Sequence, residues 1–107
     1  MAHRVPYRLV YDTEISRQLR SIERRYHALI RANIEEQLTY EPEVETTNRK
    51  PLERPVRDEA WWELRFGPNN RFRVYYRTHE PGREVHILAI GVKEREKVII
   101  GGEECDL

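Results

Sequence analysis

The chain has a single cysteine, Cys105, in 107 residues, which excludes an internal disulfide and a zinc site built from thiolates. It lacks any apolar run long enough to span a membrane, and its start, "MAHRVPYRLVYD", lacks the apolar stretch of a signal peptide. A soluble, cytoplasmic protein is therefore expected. It also lacks an excess of charge, since 19 basic and 19 acidic residues cancel. Domains that hold nucleic acid by bulk charge are strongly basic, so only a local cluster could do so here. Lysine is scarce as well. Sixteen of the 19 basic residues are arginine, whose planar fork matches phosphate and carboxylate. With no internal repeat and no low-complexity linker, residues 1–107 read as one domain.

Periodic apolar residues make up for the high charge. "YRLVYD" (7–12) alternates and predicts a first strand. Asp12 and Thr13 suit a helix start, and Glu14 its positive end. Ile15, Leu19, Ile22, Tyr26 and Leu29 then recur at steps of four and three, and after a phase slip Ile30, Ile34 and Leu38 continue the pattern. One straight helix over 13–40 would be about 40 Å long at about 1.5 Å per residue. A globule of this size is roughly 34 Å across, so the run is expected to bend or fold into a helical hairpin, breaking between Ser21 and Leu29. Residues 41–60 contain three prolines and clustered charge and predict a long loop.

"WWELRF" (61–66) and "RFRVYYRT" (71–78), joined by "GPNN", predict a hairpin. "VHILAI" (85–90) adds a third antiparallel strand, and the chain after Gly91 reads as a polar tail with an apolar patch at Val98–Ile100. The expected fold is α+β, with an N-terminal helical hairpin packed on one face of a small twisted antiparallel sheet of about four strands.

Side chains alternate across a strand, so Trp62, Leu64, Phe66, Phe72, Val74 and Tyr76 would face the helices. The opposite face carries Trp61, Glu63, Arg65, Arg71, Arg73, Tyr75 and Arg77. A plain wet face is one reading, with arginines paired to Glu across strands. Yet only one of its five charges is acidic, and like charges side by side are mildly destabilising. An anion is then the expected third party. Trp61 and Tyr75 could stack on bases or shield arginine stems. Arg49, Lys50, Arg54 and Arg57 extend the basic bias into the loop, while Lys93, Arg95 and Lys97 alternate with Glu94 and Glu96. On a wet face, Arg73→Ala should cost less than about 1 kcal/mol.

"WELRFGPNNRFRVYY" followed by "VHILAIGVKERE", with the predicted helices before and a Lys-Pro-Leu loop between, resembles the RelE/ParE superfamily of bacterial toxins. The resemblance implies a type II toxin whose partner is a cognate, acidic antitoxin. RelE-like members cut messenger RNA on the ribosome without a metal or other cofactor, leaving a 2′,3′-cyclic phosphate and a 5′-OH. ParE-like members instead bind DNA gyrase, and a relative that only pairs with an antitoxin is a further alternative. By the same resemblance, Arg73 and Arg65 would grip the scissile phosphate, with Lys93 and Lys50 assisting. Trp61, Arg71, Tyr75, Arg77 and Arg95 would contact RNA. Glu63 stands where such enzymes often carry lysine, and Ile99 where they carry tyrosine. That leaves Glu63 as the candidate base, or equally a salt-bridge partner of Arg65, and His86 as the candidate acid. His3, His27 and His79 show no metal-ligand spacing, and no metal is expected.

Overall fold

The computed structural model describes residues 5–56 and 59–105. Chain order is β1 (Arg8–Tyr11), α1 (Ile15–Arg20), a 3-10 turn (Arg24–Tyr26), α2 (His27–Leu38), β2 (Arg49–Val56), β3 (Ala60–Phe66), β4 (Phe72–His79), β5 (Glu84–Glu94), β6 (Lys97–Ile100) and β7 (Glu103–Cys105). Strands β2 to β7 lie side by side in sequence order, each pair antiparallel. β1 runs parallel to the first part of β5, Glu84–Ile87, while β6 pairs with its last part, Gly91–Glu94. No helix among the described residues is long and apolar enough to cross a membrane.

This corrects the expected helical hairpin on a sheet of about four strands. The sheet has seven strands, and one main helix, α2, covers it, because α1 has only six residues. The helical run is interrupted at Ser21–Glu23. Ser21 and Ile22 close the end of α1 with tight backbone bonds to Gln18 and Leu19 (3.1 and 2.9 Å). The Ser21 hydroxyl also donates to the Gln18 carbonyl at 2.7 Å, and Glu23 is extended (φ −52°, ψ 132°). The slip of the apolar stripe follows. Leu29 is exposed, and α2 turns Ile30, Ile34 and Leu38 inward instead.

Two further corrections concern strands that the sequence did not predict. The predicted loop at 41–60 contains β2, and the predicted tail contains β6 and β7. β2 is an edge strand, paired on one side only, where proline and charge are tolerated because an outward N–H is not needed. The tail turns at Gly101 and Gly102, both with positive φ (60° and 84°), as a tight two-residue hairpin requires.

The helix-side core joins Ile15, Ile22, Ile30, Ile34 and Leu38 to Leu64, Phe66, Phe72, Val74, Tyr76, Val85, Ile87, Ile90 and Val92. The other face holds a second core of Ala60, Tyr75, Leu88, Ala89, Val98 and Ile100. Leu52 and Val56 of β2 and Cys105 of β7 pack on it from the two ends of the strand order, so the sheet is curled into a half-barrel. A bulge at Leu88 contributes. Tyr75 pairs with Ala89 and Tyr76 with Ile87, leaving Leu88 without a partner across the ladder, and such bulges bend strands and sharpen twist. Gly91 allows close approach, since a Cβ there would lie 2.8 Å from both Ile100 Cγ1 and the Ile99 carbonyl oxygen.

Candidate anion-binding site

β3 and β4 set Arg65 directly opposite Arg73, a placement that repels unless a counter-charge intervenes. Glu63, two residues back on β3, supplies it. Its Oε1 accepts from Arg65 Nε at 2.6 Å and from Arg73 Nη1 at 3.2 Å. Arg73 Nε also donates to the Asn70 carbonyl at 3.0 Å, which fixes the guanidinium against the GPNN turn. Glu63 is 2% exposed and Arg73 7%, so both charges depend on this pairing; a buried charge is costly alone. The Arg65 side chain is 38% exposed.

Two arginines and one carboxylate leave one positive charge in excess. The terminal nitrogens of Arg65 and Nη2 of Arg73 make no hydrogen bond among the described residues. Lys93 lies on the same rim. Arg73 is opposite Gly91, so Lys93, two residues on, is its diagonal neighbour at about 7–8 Å, and it is exposed. The arrangement can accept a small anion at the edge of the half-barrel.

The remaining predicted residues do not join this cluster. The wet face expected for the hairpin is instead largely the second core. Tyr75 is wholly buried and cannot stack on a base. Burial, followed by the nearby Glu63 charge and a side-chain hydrogen bond with Glu63, pushes the pKa of its hydroxyl up. Arg71 was expected on the same face, but the turn gives it helical backbone angles (φ −73°, ψ −24°). Strand alternation therefore fails there, and its guanidinium lies 5.6 Å from the Tyr26 ring and 5.4 Å from Phe72, against the helix side.

Lys50 sits across from Glu63 in the ladder, but its Nζ turns to Glu45 at 3.7 Å. Arg77, Trp61 and His86 belong to the far end of the face. Arg77 pairs with His86 in the ladder and Arg73 with Gly91, so about 13 Å separates them at about 3.3 Å per residue. There the His86 ring meets Glu84 at 3.0 Å and Arg77 at 3.4 Å, so His86 is not placed to serve as an acid at Arg73. Trp61 is 46% exposed. Arg95 occupies the β5–β6 turn with positive φ (59°). His3 and Arg57 lie outside the described residues, and among those described no cluster of His, Cys, Asp and Glu could hold a metal ion.

Two buried polar residues on the helix side were not expected from the sequence to be internal. Arg49, expected as part of a basic loop, is buried. It donates to the Gln37 carbonyl and side chain (2.8 and 2.9 Å) and to the Val44 carbonyl (2.9 Å), tying the segment before β2 to the end of α2. Gln18 stands three residues after Ile15, on the apolar stripe, which was the available signal. Its Oε1 accepts from Ile90 N at 2.8 Å, on the length of β5 between its β1 and β6 pairings. An apolar groove of about 690 Å³ between the end of β1, α1 and α2 is lined by Tyr11, Ile15, Leu19 and Ile34; none of the clustered cations reaches it.

Comparison with protein-family models gives no match. No curated protein and no solved structure matches the chain either.

Proposed function

We propose that the chain is the toxin of a type II toxin–antitoxin pair, of the RelE/ParE kind, and that it acts as a metal-independent endonuclease on ribosome-bound messenger RNA. The observation that supports this reading is Arg65 set opposite Arg73 on one shared carboxylate oxygen, with a surplus positive charge beside Lys93 and N–H groups that are unpaired among the described residues. In the reaction a ribose 2′-oxygen bonds to the adjacent phosphorus and the bond to the 5′-oxygen breaks. The phosphorane between them carries extra negative charge, which fixed guanidinium donors stabilise; loss of one such donor typically costs about 10²–10³ in rate.

One observation favours a second reading, a ParE-like protein that binds DNA gyrase and does no chemistry. Among the described residues no acid–base pair stands at the cations, since Glu63 is committed to two guanidiniums and His86 lies at the other end of the face. Controlled expression separates the two. The nuclease reading expects growth arrest, messages trimmed within ribosomes with 2′,3′-cyclic phosphate ends, and loss of both in Arg65→Gln. Intact messages with a DNA-damage response would replace it with the gyrase reading, and normal growth would leave an antitoxin-binding relative.

A further inference from the structure

We propose that Arg77 and His86, at the far end of the polar face, form a proton-dependent seat for a small oxyanion such as sulfate or a phosphate ester. The seat is closed while His86 is neutral and opens when the ring gains a proton. It lies about 13 Å from Arg73 at about 3.3 Å per residue, and it stands whether or not the Arg65–Arg73 cluster cuts RNA. The two ring nitrogens of His86 have different partners. Nε2 meets Glu84 Oε1 at 3.0 Å, and Nδ1 meets Arg77 Nη2 at 3.4 Å. A carboxylate only accepts and a guanidinium only donates, so these partners assign the neutral ring with its proton on Nε2 and Nδ1 bare. A proton added to Nδ1 sets two donors face to face, and the contact with Arg77 must open.

Arg77 is held loosely enough to leave. Its Nε has no partner among the described residues, and its Nη1 reaches Glu59 only at 3.8 Å. That carboxylate is largely exposed, and such surface pairs contribute little. The Arg77 side chain is 38% exposed and that of His86 24%, so an oxyanion from solvent can reach both. Accepting from Nδ1–H and from the guanidinium, it relieves the repulsion that protonation creates. The surrounding charges agree. β5 supplies Glu84, β4 supplies Arg77 and His79, β1 supplies Arg8, which pairs with Glu84, and Glu59 precedes β3. With both imidazoles neutral, Arg8 and Arg77 balance Glu84 and Glu59. Glu84 is held at about 2, first by its bond with His86 and then by Arg8, so it stays charged over the histidine range. His86 and His79, whose ring centres lie 6.1 Å apart, are then the groups that turn the cluster positive as pH falls.

Sulfate is the probe, because its charge is constant over this range. The folded wild type, His86→Gln, Arg77→Gln and His79→Gln are titrated with it at about pH 8 and about pH 5.5, at one ionic strength. Nitrogen NMR of the His86 ring and of the Trp61 indole N–H reads this end alone, since Trp61 and Arg77 lie one step beyond the Trp62–Tyr76 pair. The wild-type ring at about pH 8 should carry its proton on Nε2, and sulfate should bind at least about tenfold tighter at the lower pH, where the competent form is populated. His79→Gln should keep that gain. His86→Gln, whose amide keeps the neutral contacts at every pH, should lose it, and Arg77→Gln should lose binding altogether. Affinity independent of pH, a gain that survives His86→Gln or vanishes in His79→Gln, a proton on Nδ1 at the higher pH, or no binding at all overturns the seat. Should His86→Gln fail to fold, the wild-type ring decides in its place: sulfate that shifts Nδ1 only at the lower pH supports the seat, and an unmoved ring sinks it. Neither readout reports on Arg65 and Arg73, so failure here leaves the nuclease reading standing.

Discussion

The two faces of this sheet are both buried, but by different means. On the helix side, alternate residues of β3 and β4 are apolar and meet the inward row of α2, so local pattern and tertiary contact agree. On the other side the same alternation delivers Trp61, Glu63, Arg65, Arg73, Tyr75 and Arg77, and the sheet covers itself. β2 and the β6–β7 hairpin curl over Tyr75 and Ala89, dividing the polar residues into a cluster at each end. A polar row along a strand thus does not establish a wet face. What matters is whether the strand order returns to cover it.

The strongest way to break this contrast is Val74→Asp. Val74 is wholly buried among helix-side residues, and an unpaired buried charge there should unfold the domain; a cooperative, near-wild-type melting curve would show that the faces are misassigned. Ile100→Ala probes the second core. If that face is covered, the loss should be about 2–4 kcal/mol by denaturant titration, whereas less than about 0.5 kcal/mol would return it to solvent. Arg73→Ala comes next. The expectation of under about 1 kcal/mol for a surface arginine is replaced by about 2–3 kcal/mol, because the change leaves buried Glu63 with one partner fewer.

The smallest effect is at low pH. Glu84 is held at about 2, down from its ordinary 4.5, first by its bond with His86 and then by Arg8. Its folded pKa is depressed, so the stability it supplies is present above pH 4.5 and is lost as pH falls towards 2. Replacing it, as Glu84→Gln, should lower stability above pH 4.5, neutral pH included, converge with the wild type towards pH 2, and so flatten the stability profile across that window.

Much of the site was legible in the sequence because parity is a local property. The opposition of Arg65 and Arg73 follows once the GPNN turn sets the register, and the helix-side row follows from apolar spacing. The rest depended on contacts distant along the chain. β2 read as a loop because prolines and charges are what an edge strand tolerates, and β6–β7 read as a tail because each strand is only three or four residues long. Along "VHILAI" simple alternation fails, because the bulge at Leu88 puts two successive residues, Leu88 and Ala89, on one side. Arg71 was misplaced because a helical backbone angle just before β4 ends the alternation.

The central claim is that the Arg65–Glu63–Arg73 cluster keeps a usable positive charge at the rim and grips a phosphate backbone with it. Its most direct test is the salt dependence of binding to a single-stranded RNA, compared between the wild type and Arg65→Gln at equal melting temperature. Each phosphate contact contributes about 0.7 to the slope of log affinity against log salt for single strands. The account predicts weaker binding with the slope reduced by about that amount. Identical affinity and slope in the two proteins would contradict it.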